Sequence, residues 1–191
     1  MLINIQITDQ LSPEISRFHA AVLDRRPLHA ALAGDVAKML REHFGKRESQ
    51  GNKRGWPRKH FWAREGRQNT SVTSISAAGA EVTVASAAIA FKLKGGVIRA
   101  KRSRMLAIPL TARAYKAGSP REGGFKDLFF VKAGGRALLA IPGPRKTIKP
   151  QYLLTPSVTQ RPDPDAVPPD RDIDSRVRTA ADAWLVRYAS K

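Results

Sequence analysis

The chain has 191 residues, 42% of them apolar, and carries 34 Lys and Arg against 16 Asp and Glu, a formal charge of +18. That length suits one domain, 1–191, with arms, and no run approaches the roughly 20 apolar residues of a membrane helix, so membrane-protein readings are excluded. The absence of cysteine removes disulfides, thiolate nucleophiles and sulfur-based zinc sites and suits intracellular production, while the charge either attracts polyanions through counterion release or solubilises a sheet and its edges.

The opening MLINIQITDQ lacks the basic start, apolar block and cleavage site of a secretion signal. Its residues 2–7 alternate Leu2, Asn4 and Gln6 with Ile3, Ile5 and Ile7, the period-2 pattern of a half-buried strand. Ser12-Pro13-Glu14 then places a capping side chain before a proline at the first helical position, and a short helix is expected through Ile15, Phe18 and Val22. After Pro27, the residues Leu28, Leu32, Val36, Met39, Leu40 and Phe44 recur at three- and four-residue steps, which predicts an amphipathic helix ending near Gly45.

Residues 45–70 are polar and strongly basic apart from Trp56, Phe61 and Trp62. They read as a long loop whose rings either pin it to the core or a partner, or stack on unpaired bases. A Val-rich hairpin is expected over 71–86, and strands at 96–100, 105–109, 128–131, 137–141 and 152–158, separated by Gly or Pro. In FKLKGGVIRAKRSRMLAIPL, residues 91–110, apolar and basic residues interleave around a double glycine, suggesting a strand-and-turn piece that docks on a neighbour. The segment 161–170, RPDPDAVPPD, is too rich in proline for a helix interior or central strand and reads as an extended connector. Beyond it, Ile173, Val177, Ala180, Ala181, Trp184, Leu185 and Tyr188 mark a last amphipathic helix, with Asp170, Asp172 and Asp174 near its positive end. The expected fold is therefore α+β: a mostly antiparallel sheet with an N-terminal helix pair and a C-terminal helix packed on it, plus the long loop and the Pro-rich arm.

Motifs for chemistry are missing. No GxSxG, HExxH, Walker loop or GxGxxG is present, and His29 and His43 have no histidine or carboxylate at metal-ligand spacing. No catalytic residue, metal or cofactor is assigned, and an enzyme is not expected.

The order GWPRKHFW at 55–62, the Val-rich hairpin, KLKGGVIRAKRSRMLAIPL at 92–110, AGSPRE at 117–122, LFFV at 128–131 and YLLTPSVTQRPDPDAVP at 152–168 resembles the tailed-phage virion morphogenesis family, the tail-completion or head–tail joining proteins. The resemblance runs from about His43 to Pro168. Where that family often shows AHKL, this chain has Ala90-Phe91-Lys92-Leu93. The resemblance implies a structural virion protein that forms a ring, a hexamer in that family, at the head–tail interface. It also implies partners in the head connector or adaptor proteins and in the tail tube or tail terminator, and DNA passing through the lumen. Manufacture would be in the cytoplasm of the host bacterium and final location in the virion neck. In such a ring Lys92, Lys94, Arg99, Lys101, Arg102 and Arg104 would face a polyanion in the lumen or a solvated rim, and Trp56, Phe61, Trp62 and Trp184 would anchor partner interfaces. The competing class is a sequence-independent nucleic-acid-binding protein.

Overall fold

The structure, a computed structural model, describes residues 11–189 apart from Lys53, Arg58, Arg102 and Gly123. The strand expected over 2–7 and the candidate Arg102 lie outside the described residues. The fold is α+β, with every paired strand antiparallel. Where the sequence reads as a single domain, the residues group into two compact units.

The first unit holds helix α1 (Leu11–Leu23), most of α2 (Arg26–Ser49), the hairpin of β1 (Thr70–Ile75) and β2 (Ala80–Val84), and helix α5 (Asp170–Ala189). The break between α1 and α2 is tied by Asp24, whose carboxylate accepts from the Arg26 side chain at 2.8 Å through both Nε and Nη2, and from its backbone N–H at 3.2 Å. The hydrogen bonds and charge of Arg26 hold the Asp24 carboxyl down at about 2, so its contribution is complete above the ordinary carboxylate range and fades as pH falls towards 2. Pro27 sits in the first turn of α2, where its missing N–H has no intrahelical partner to lose.

The expected end of α2 at Gly45 is corrected: the helix runs on to Ser49. A helical glycine costs only about 1 kcal/mol relative to alanine, and Lys46 and Arg47 in the last turn suit the negative end of the helix dipole. The buried stripe of α2 also differs from the one read from large residues. It runs through Ala33, Ala37, Leu40 and Phe44, while Leu28, Leu32 and Val36 are half-buried. Phe44 is fully buried and packs on Gly66, where an added Cβ would overlap the ring. Gly66 belongs to a π-helical turn, Trp62–Arg67, within the segment expected to be loop. Its carbonyl accepts from the buried Thr70 hydroxyl at 2.8 Å, which fixes the start of the hairpin.

Helix α5 contacts α1, and Arg176 pairs with Asp35 of α2 at 3.2 Å. Asp170 and Asp172 occupy its first turn as expected, and Ala180 is its buried position.

The second unit comprises residues 46–62 and 87–166. It contains helix α3 (Ala87–Lys94), strands β3 (Gly96–Arg99) and β4 (Leu106–Pro109), helix α4 (Ala112–Ala117), and strands β5 (Phe129–Ala133), β6 (Arg136–Pro142), β7 (Ile148–Thr155) and β8 (Ser157–Gln160). A four-stranded sheet has the order β4-β7-β6-β5, and β3 pairs with β8. The single strand expected over 152–158 is broken at Pro156, which has no N–H to continue the ladder, although its carbonyl accepts from Ala100 at 3.4 Å. The pairings Arg99↔Ser157 and Leu106↔Thr155 make β3 and β4 two lengths of one ribbon along β8 and β7, with the chain leaving the ladder after Arg99 and rejoining it at Leu106, opposite Pro156.

The strand-and-turn reading of 91–110 is corrected at its start. Residues 87–94, AAIAFKLK, form helix α3, because alanine, leucine and lysine are strong helix formers. The helix stops at Gly95, whose N–H donates to the Phe91 carbonyl at 2.8 Å with φ of 70°, the left-handed end that glycine adopts most easily. A Cβ there would also strike the Gln160 carbonyl and Pro162. The core on one face of the sheet is Ala114, Phe125 and Tyr152, with Ala107, Ala117, Leu128, Leu139 and Ile141 packed around them.

Candidate functional site

In the second unit the polar segment after α2 is organised by Asn52. Its side-chain oxygen accepts the N–H groups of Arg54 and Trp56 at 3.0 Å, and its amide donates to the Trp56 carbonyl at 2.8 Å. This local turn, favoured by the short Asn side chain, presents the half-buried Trp56 ring to Tyr115 of α4, with centroids 5.1 Å apart. The Arg54 guanidinium lies 4.8 Å from the Trp56 ring, and the Lys59 ammonium 4.6 Å from that of Tyr115.

Five residues after Trp56, Phe61 and its neighbour Trp62 meet edge to face at 5.2 Å. Arg47 lies 4.7 Å from the Trp62 ring and pairs with Asp163 at 2.5 Å. The Lys92 ammonium sits 5.5 Å from Phe61 and 5.6 Å from Trp62, and its backbone carbonyl accepts the Asp163 N–H at 2.9 Å. These contacts fasten the Pro-rich connector to its own chain, with Ala166 and Pro168 buried. Both charged partners of the Arg47–Asp163 pair are mostly shielded from solvent, at 21% and 25% exposure. Asp163→Asn is expected to destabilise the protein by about 1–2 kcal/mol, since it leaves a largely desolvated guanidinium without its counter-charge. Urea unfolding at constant ionic strength measures this, and an unchanged midpoint would refute it.

Of the candidate polyanion-facing residues that are described, only Lys92 joins the ring cluster. Lys94, Arg99, Lys101 and Arg104 are exposed on the end of α3, on β3 and between β3 and β4. Among the candidate anchors, Trp56, Phe61 and Trp62 share this unit, whereas Trp184 lies half-buried on α5 in the other.

A groove of about 830 Å³ opens beside β4. Its floor is apolar, built from Met105, Leu106, Ala107, Leu139 and Leu154, and Tyr115 and the turn from Gly118 to Arg121 form the facing wall. Among the described residues, the cations Lys59, Arg104 and Arg121 line it and no carboxylate does. The wall is held by Tyr152, whose hydroxyl lies 3.2 Å from the Ala114 carbonyl and 3.1 Å from that of Gly118. Burial, and then the charge of Glu122, push that hydroxyl's pKa up, so it remains a neutral donor.

Sequence reasoning missed α4, and with it Tyr115, because six residues are too few to show helical periodicity, and it missed Arg121 in the turn that follows. A signal was present in Thr111, whose hydroxyl accepts the Ala114 N–H at 3.1 Å and donates to Gln151 Oε1 at 2.7 Å. Comparison with protein-family models, with curated proteins and with solved structures returns no match.

Proposed function

We propose that this chain is a structural virion protein of a tailed bacteriophage, a ring-forming subunit at the head–tail interface that joins the tail to the head connector and lets DNA pass. One observation carries the reading. Of the segments that resemble the tail-completion family, those at 55–62, 92–110, 117–122 and 128–131, and 152–168 as far as Ala166, are distant in sequence and fall in one compact unit, while the Val-rich hairpin lies in the other. There they form the ring cluster, the ribbon and the groove wall. Exposed apolar side chains at Val97, Ile98, Phe129 and Phe130 of the same unit supply surface for neighbouring subunits. The role is stoichiometric: apolar side chains bury area against partners, while the basic surface orients them. Particles assembled without this protein should contain filled heads and finished tails that remain separate. Normal joining in its absence would overturn the proposal.

A second reading, sequence-independent binding of nucleic acid, is favoured by the exposed run Lys94, Arg99, Lys101 and Arg104. Under it, affinity of the isolated chain for single- or double-stranded DNA falls steeply with salt, and replacing Lys94, Arg99 and Lys101 by glutamine flattens the slope. The ring reading requires no measurable affinity of the isolated subunit for DNA.

A further inference from the structure

We infer that the groove beside β4 is an acceptor for an extended, acidic segment of a partner protein, which adds to the sheet as a further strand. Strand β4 is an edge, and among the described residues its only strand neighbour is β7. The Leu110 N–H donates to the Gln151 carbonyl at 2.8 Å, which makes that a hydrogen-bonded pair of the antiparallel ladder. Pairs alternate along such a ladder, so Ile108↔Leu153 and Leu106↔Thr155 are bonded, and the backbone groups of Ala107 and Pro109 point away from β7. The open edge therefore presents the N–H and C=O of Ala107 and the C=O of Pro109, whose missing N–H falls on the outward side.

Ala107 and Pro109 are also among the residues that line the groove, and its chemistry selects the occupant. An incoming strand projects alternate side chains into the groove, beside Ala107 and towards Lys59, Arg104 and Arg121, and the others to the opposite face of the sheet, on the side of Ile108 and Leu153. Apolar residues alternating with carboxylates match both surfaces. A second copy of this chain is disfavoured as the occupant because its acidic stretch, from Asp163 to Asp174, is held in a 3-10 turn and in α5 and offers no free strand. A nucleic-acid strand would leave the aliphatic floor without a complement, and the Tyr115 ring is already engaged by Trp56 and Lys59. The inference concerns the isolated chain and does not depend on ring formation.

The test uses the full chain and a short acetylated peptide alternating glutamate and valine, labelled for fluorescence polarisation. Binding is expected, weakened about tenfold or more by the double substitution of Arg104→Glu and Arg121→Glu, both at exposed positions. It should also weaken about tenfold when the peptide's alternate amides are N-methylated, which needs no protein variant and separates strand addition from charge attraction. No binding at millimolar peptide, equal binding of the lysine–valine counterpart, or indifference to N-methylation would each overturn the inference. So would an oligothymidylate that displaces the peptide and loses its own affinity in the double variant, which would make the groove a polyanion site.

Discussion

Tyr152→Ala is expected to lower the unfolding free energy by about 3–5 kcal/mol, the cost of removing a large aromatic side chain from a site that cannot fully collapse. Tyr152 is fully buried, its ring meets Phe125 edge to face at 5.9 Å, and its hydroxyl lies between two carbonyls of the α4 segment. Tyr152→Phe keeps the ring and loses only the shared hydrogen bond, so a smaller cost of about 1 kcal/mol is expected. Trp56 and Trp62 lie in the same unit as Tyr152 and Trp184 does not, so tryptophan fluorescence in a Trp184→Phe background follows the affected unit alone. If the alanine variant unfolds at the urea concentration of the parent, the ring is not the centre of that core.

Gly66→Ala is the corresponding result for the first unit. The added methyl would overlap the Phe44 ring, and both residues are buried on rigid helical backbone, so a loss of about 1–3 kcal/mol is expected. Phe44→Leu removes the atoms that collide, and in the double variant the glycine substitution should cost measurably less than it does alone. Additive losses would mean that Gly66 is required for some other reason than the close approach of the ring.

Much of the fold was legible in residue order. The apolar steps of α2 and α5, the β-branched runs either side of Gly79 and the strands between glycine and proline each state their own period. What escaped was decided by contacts between distant segments. The alanines at 33 and 37 are buried because partners approach there, and small side chains give a weak periodic signal. Helix α3 was hidden in a stretch whose lysines and phenylalanine also suit a strand, and its end is set by a glycine held against Gln160 and Pro162. For the site, the aromatic and basic residues of 45–70 were visible as a composition, but not that Trp56 would find Tyr115 or that Arg47 would find Asp163. The groove depends on an edge strand and a six-residue helix meeting across a sheet, a relation with no linear counterpart.

The connection from Arg99 to Leu106 leaves the ribbon and returns to it opposite a single proline, and both of its feet are clamped by the same partner backbone. Its length is consequently decoupled from strand alignment: residues inserted or deleted there shift no downstream pairing. That makes it the natural splice point for a fluorophore or affinity tag, and a position where evolution could rewrite surface charge without disturbing the framework.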